Sequence, residues 1–237
     1  MEVIISEDNK LIKRANKLKD KKYRDQSGEY LIEGLRGIID TPDEFIKVIL
    51  TVEGFSDSRL NDKKIVYITE KLMNRLSMTD ISSGVIAIAA QKQESDFVSD
   101  YIIYLDRIRD PGNMGTIIRT AVAAGYEIVC DDCVDVYNPK VVRSCVSALS
   151  KARVHNGNFI DILAEKGYNI IGAEMGGKNI FESAKPNKLC IVIGNEANGI
   201  RKDILDKCNM ICSIPMENME SLNASVCAGI LMYYFKY

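Results

Sequence analysis

The chain contains one histidine in 237 residues, His155, so a catalytic arrangement built on histidine has little to draw on. His155 lies outside every glycine-rich segment and reads as a structural or surface residue. No apolar run approaches roughly 18 residues, the length that would suggest a membrane span. The opening MEVIISEDNK lacks signal-peptide architecture. The seven cysteines (130, 133, 145, 190, 208, 212, 227) form no disulfide framework, and a reducing cytoplasm is expected. Cys130 and Cys133 make a CxxC, but a zinc site needs four ligands. The other close pair, Cys208 and Cys212, has CxxxC spacing, so no metal is expected. There is no GxGxxG, which disfavours a nicotinamide-dependent oxidoreductase, and no Walker lysine. Net charge is −2, so any nucleic-acid contact has to come from a local patch.

Such a patch runs from Lys10 to Arg24. Its bases are Lys10, Lys13, Arg14, Lys17, Lys19, Lys21, Lys22 and Arg24, against Asp20 alone. A solvated helix face is the plain alternative. Clustered Lys and Arg that displace counterions from a polyanion are the sharper reading. RNA contact is therefore assigned to Lys13, Arg14, Lys17, Lys21, Lys22 and Arg24, with Tyr23 available to stack on a base.

Hydrophobic periodicity alternates between helix and strand along the whole chain. SEDNKLIKRANKLKD reads as a helix with Ser6 as its cap and acidic residues in its first turn; EYLIEG reads as a strand, and LRGIIDTPDEF as a helix stopped near Pro42. Residues 1–92 make a small α/β domain, a polar linker covers about 91–99, and a second domain covers 100–237. In the second domain, continuous apolar strands separated by helices imply a mostly parallel sheet with helices on both faces. NPKVVRSCVSALS is expected to be one of these helices, and the terminal SLNASVCAGILMYYFKY another. That last helix is apolar around most of its circumference, so it must be covered on more than one side.

Three segments carry the chemistry. DPGNMGTIIR follows a strand and opens a helix, with Gly115 and Arg119 one turn apart. In IVIGNEANGI, Gly194 and Gly199 bracket Asn195, Glu196 and Asn198. Its GxxxxG is P-loop spacing, but Ile200 and Arg201 stand where Lys and Ser/Thr belong, and Glu196 would repel phosphate. In SIPMENMESLNASVCAGI, Ser221 and Asn223 bring polar groups to the mouth of an apolar helix.

Together NMGTIIR, GNEANG and IPM…SLNASVCAGI resemble the three successive motifs of the SpoU-type (TrmH) RNA ribose 2′-O-methyltransferases of the SPOUT superfamily. NPKVVR is similar to that family as well, and KYRDQSGEYLIEGLRGI resembles the small RNA-binding substrate domain of its ribosomal-RNA members. The resemblance implies a deep trefoil knot, a homodimer through the C-terminal helix, and S-adenosylmethionine bound in the knot. By motif position it implies cofactor contacts at Gly194, Ile214 and Leu222, and at Met175 and Gly176 of GAEMGG. It makes Arg119 the residue most tied to catalysis, with Asn113, Glu196, Ser221 and Asn223 at the other polar positions and Glu196 orienting Arg119. Ribosomal (23S) RNA is the expected substrate. Transfer RNA, or a non-catalytic role in RNA binding or ribosome assembly, is the alternative.

Overall fold

The computed structural model describes residues 3–60, 62–93 and 96–237. They form two compact units: residues 3–92 with Asp135–Lys151, and residues 93–134 with Ala152–Tyr237.

The first unit runs β1 (Val3–Ile4), α1 (Lys10–Lys17), α2 (Lys21–Ser27), β2 (Glu29–Glu33), α3 (Leu35–Ile39), β3 (Ile46–Val52), β4 (Ile65–Ile68), α4 (Glu70–Leu76) and β5 (Val85–Ala90). Among the described residues its strands order β1-β4-β3-β5-β2, parallel at β1/β4 and β3/β4 and antiparallel around β5. Helices α1 and α4 bury Ile12, Ala15, Leu72 and Leu76 against Leu31, Val48, Leu50, Ile86 and Ile88. Each of these Leu, Ile and Val side chains contributes roughly 1.5–3 kcal/mol on burial.

Two local expectations change here. Asn9, not Ser6, caps α1, its side chain accepting from the Leu11 N–H at 2.8 Å, and the first turn holds no acid. LRGIIDTPDEF splits into α3 and a 3₁₀ turn at Asp43–Phe45, because Pro42 cannot continue the helix.

The second unit begins with β6 (Tyr101–Asp106), α5 (Pro111–Ala124) and β7 (Glu127–Asp131). The chain then contributes α6 (Pro139–Ser144) to the first unit before returning. Sequence order alone placed Asp135–Lys151 in the second domain, whereas its contacts are with the first. Asp135 pairs with Arg24, Tyr137 lies 4.7 Å from Tyr30 ring to ring, and the Ser150 hydroxyl donates to the Asp40 carbonyl. NPKVVRSCVSALS is α-helical only to Ser144, since Val146 turns into the left-handed region at φ 58°, and it resumes as a 3₁₀ turn at Ala148–Ser150.

Arg24 thereby leaves the RNA-facing set. Its guanidinium is 2% exposed, donates to Asp135 at 2.7 and 2.9 Å, and bonds the carbonyls of Leu18 and Lys19. Cutting it to alanine leaves Asp135 without its partner charge, so Arg24→Ala is expected to cost about 3 kcal/mol of stability. Urea unfolding of the full chain measures this, and an unchanged unfolding curve contradicts it.

The rest of the second unit is β8 (Val154–Asn156), α7 (Ile160–Glu165), β9 (Asn169–Asn179), β10 (Leu189–Ile193), α8 (Lys202–Leu205), β11 (Met210–Ser213) and α9 (Ala224–Lys236). Its strands order β11-β9-β10-β6-β7-β8 with every pairing parallel. Ile102, Tyr104, Val129, Ile170 and Val192 pack with Ile160 of α7 and Ile204 of α8. The alternate positions Ile103, Leu105, Ile128, Ile171 and Ile191 are buried too, as a sheet covered on both faces requires. Helices α5 and α9 pack together, α5 on β7 and α9 on β10. His155 lies inside this unit, bonded to Glu127 at 2.9 Å.

Candidate active site

Adjacent parallel strands end at one edge of the sheet, and ligands of open α/β sheets bind outside those carboxyl ends. Here β9, β10 and β11 deliver three segments to one cavity of about 430 Å³. The first segment is a bulge within β9. Its pairing to β11 jumps from Gly172↔Ile211 to Lys178↔Cys212, which pushes Ala173–Gly177 out of register. Ala173, Glu174 and Met175 of the bulge line the cavity; Gly176 does not, and sits at its crest with φ +79°.

The second segment, after β10, is a tight loop. Asn195 and Gly199 exchange backbone hydrogen bonds at 3.1 and 2.9 Å, while the Asn195 side chain accepts from the N–H groups of Ala197 and Asn198. Gly199 takes φ +63°, and a Cβ on Gly194 would lie 2.3 Å from the Gly199 carbonyl carbon. Gly194 and Glu196 both face the cavity.

Charged residues flanking the motifs brace this loop. Asp106, fully buried at the end of β6, accepts from the Arg201 N–H at 2.8 Å and pairs with the Arg201 Nε at 2.8 Å and with Arg107 at 3.2 Å. Arg201 also pairs with Asp131, which takes a hydrogen bond from the Tyr104 hydroxyl at 2.6 Å. Burial and that carboxylate push the Tyr104 phenol far above its ordinary range. Burial alone would lower the Arg201 pKa, but the Asp106 and Asp131 charges raise it. Arg107, itself left-handed at φ 59°, accepts from Asn195 Nδ2 on its carbonyl at 2.8 Å and donates to the Gly199 carbonyl at 3.3 Å. Glu174 accepts from the Ile200 N–H at 2.9 Å. Sequence reasoning missed Asp106, Arg107, Glu174 and Arg201. The available signal was the opposite charge placed beside two glycine-rich loops.

The third segment, after β11, brings Ile214, Ser221, Leu222 and Asn223 to the cavity. Asn223 caps α9, accepting from the Ser225 N–H at 2.9 Å and the Ser225 hydroxyl at 2.6 Å. Cys212 and Cys227 also line the cavity, and burial pushes their thiols up to about 12 and about 11, so neither is a thiolate at neutral pH. No group of three His, Cys, Asp or Glu among the described residues is arranged to hold a metal.

A side-chain chain ties the three motifs together. Asn113, held at the start of α5 by Asp110, donates to Glu196 at 2.8 Å and accepts from Asn223 at 2.9 Å. Glu196 is thus engaged with Asn113, and no hydrogen bond or ion pair joins it to Arg119 among the described residues. Arg119 is exposed on α5, is not among the residues lining the cavity, and has no hydrogen-bond or ion-pair partner among the described residues. Gly115, one turn earlier, is buried, so the two do not share an open face.

Within the basic segment, Lys13 pairs with Asp8, Arg14 with Glu29 and Lys21 with Asp25. Lys17 and Lys22 are exposed.

The fold and site define a protein with a parallel α/β unit that carries a ligand cavity at its strand ends and a smaller mixed-sheet unit. Residues 100–233 match the model of the SpoU rRNA methylase family, and residues 9–87 match that of an MRM3-like substrate-binding domain. The chain belongs to the SpoU rRNA methylase family. Among curated relatives it is 27% identical, over the full length of both chains, to the 23S rRNA (guanosine(2553)-2′-O)-methyltransferase RlmP of Bacillus subtilis (strain 168). The crystal structure of an RNA 2′-O ribose methyltransferase superposes with a TM-score of 0.84 at 26% identity, covering 99% of this chain and 98% of that one. An AdoMet-bound rRNA methyltransferase from Sinorhizobium meliloti shares the fold with a TM-score of 0.88 at 23% identity, covering 99% and 97%.

Proposed function

We propose that this protein transfers the methyl group of S-adenosylmethionine to a ribose 2′-hydroxyl of ribosomal RNA. The carrying observation is the cavity walled by the β9 bulge and by the segments after β10 and β11, with the first motif tied to the other two by the Glu196–Asn113–Asn223 hydrogen bonds. Its volume lies within the roughly 300–1,000 Å³ of small-molecule sites. Apolar Ile193, Ile214, Leu222 and Leu231 suit an adenosine, and the backbone of the Gly194–Gly199 loop suits its polar edges. Gly194, Ile214, Leu222 and Met175 are the proposed cofactor contacts; Gly176, outside the cavity lining, leaves that set. When bound, the cofactor supplies an electrophilic sulfonium methyl.

The chain's own work is alignment and proton removal. A guanidinium stays protonated, so Arg119 acts as a clamp and not as a base. It holds a phosphate of the target nucleotide, and that phosphate takes the hydroxyl proton. His155, buried against Glu127, is no base for this step. Asn113 and Asn223 fix the loops on either side, while Ser221, exposed at the cavity, contacts the ribose.

The same reading includes a C-terminal segment threaded as a deep trefoil knot and a homodimer through α9. Val226 and Tyr233 leave an apolar strip of α9 about half exposed, which supports the dimer. An Arg119 without a partner among the described residues fits a group that acts on RNA. The smaller unit, with Lys13, Arg14, Lys17, Lys21 and Lys22, holds the RNA, and the location is the cytoplasm.

Transfer of labelled methyl from S-adenosylmethionine to separated ribosomal and transfer RNA, followed by nuclease digestion, tests the proposal. Label in a 2′-O-methyl nucleoside of ribosomal RNA is expected. Label in transfer RNA replaces the substrate. No label from folded, cofactor-binding protein overturns the activity and leaves a binding module.

A further inference from the structure

A second cleft, of about 470 Å³, opens on the first unit. Lys10, Lys13, Arg14 and Lys17 of α1 wall it on one side, with Tyr23 of α2 and Glu29 completing it. The four bases recur at helical spacing, so they share one face of α1. The other face, with Ile12 and Ala15, is committed to the core.

Most of the cleft's acid is already used. Glu29 accepts from the Arg14 Nε at 2.9 Å, while Lys13 pairs with the widely exposed Asp8. Lys10 and Lys17 have no acidic partner among the described residues. The Lys17 ammonium rests 5.2 Å from the centre of the half-buried Tyr23 ring. A cation–ring contact that water still reaches is held weakly, and Lys17 is exposed, so it can swing to a phosphate and free the ring face.

We propose that this cleft is a subsite for one unpaired RNA nucleotide, its base stacked on Tyr23 and its flanking phosphates on Lys10 and Lys17. The inference rests on the reading of the protein as an RNA-acting enzyme. Bases inside a duplex have their faces covered by neighbours, and an aromatic ring receives only a base turned out of the stack. An acidic peptide would satisfy the lysines but give Tyr23 nothing to do.

The test measures binding of full-length protein, by fluorescence anisotropy, to a single-stranded oligoribonucleotide of about 12 nucleotides, within the span such sites cover. The same sequence as a duplex and a polyglutamate peptide serve as comparison probes. The single strand should bind tighter than either. Tyr23→Ala should weaken it about tenfold and Tyr23→Phe should restore it, because stacking needs the ring and not the hydroxyl. Lys10→Gln with Lys17→Gln should lower the log–log salt slope by about 1.4, the share of two single-strand phosphates. Equal affinity for duplex and single strand, an unaffected Tyr23→Ala, or polyglutamate bound as tightly as RNA overturns the subsite. The two readings fail separately. Normal RNA methylation with Tyr23-independent binding removes the subsite alone, whereas Tyr23-dependent binding without methylation of any RNA removes the reaction alone.

Discussion

Replacing Arg119 by alanine is expected to lower methyl transfer by about 10²- to 10³-fold, the usual consequence of deleting one preorganised electrostatic contact in a reacting site. Affinity for the cofactor should stay unchanged, because Arg119 is not among the residues lining the cavity. Folding should stay intact as well. The side chain is exposed and has no partner among the described residues, and surface substitutions of that kind stay within about 0.5 kcal/mol. Few active-site residues separate function from stability so cleanly. The loss should appear in kcat and kcat/KM together, the signature of an interaction made in the transition state. Arg119→Lys keeps a charge but loses the planar fork that grips a phosphate with two parallel hydrogen bonds. It should therefore recover only part of the rate. Single-turnover transfer of labelled methyl to ribosomal RNA measures both variants. Full turnover by folded Arg119→Ala sinks the assignment and moves catalysis to the Asn113, Ser221 and Asn223 cluster.

The cavity segments after β10 and β11 were legible because each announces itself locally. Glycine and asparagine at the end of an apolar strand mark a turn, Gly125 closes α5 in the left-handed conformation, and Pro139 opens α6. The braces between loops were not legible, since they join residues far apart in sequence. Asp106 meets Arg201 across 95 positions, Asn113 meets Asn223 across 110, and Arg24 meets Asp135 across 111. No periodicity carries such pairs. Arg24 shows the cost of averaging over a charge run: among many solvated bases, one is an interior strut, and only its position on α2 distinguishes it. The β9 bulge was hidden for a related reason. YNIIGAEM has a strand's composition, and the displacement of Ala173–Gly177 shows only against the register of β11.

The tight loop after β10 yields the other large effect: Gly194→Ala should weaken S-adenosylmethionine binding by about 100-fold, or roughly 2.7 kcal/mol. The reason is contact and not conformation. An alanine Cβ would sit 2.3 Å from the Gly199 carbonyl carbon and 2.4 Å from the Ile200 nitrogen, both backbone atoms with no rotamer to yield. To admit it, the loop has to open at the Asn195–Gly199 pair and lose two backbone hydrogen bonds, each worth about 1 kcal/mol. Below the loop, Arg201 is fixed by Asp106 and Asp131, and Arg107 holds the Gly199 carbonyl, so strain cannot pass downward. The displacement goes into the cavity wall instead. Gly176→Ala supplies the control. A Cβ there meets nothing within 4 Å, so its cost is the left-handed backbone alone, about 1–2 kcal/mol of stability, with the cavity wall left in place. Calorimetric titration of the cofactor into both variants separates the two cases. If Gly194→Ala binds as the wild type does, the loop is not a cofactor wall, and the role of this cavity has to be sought in the RNA.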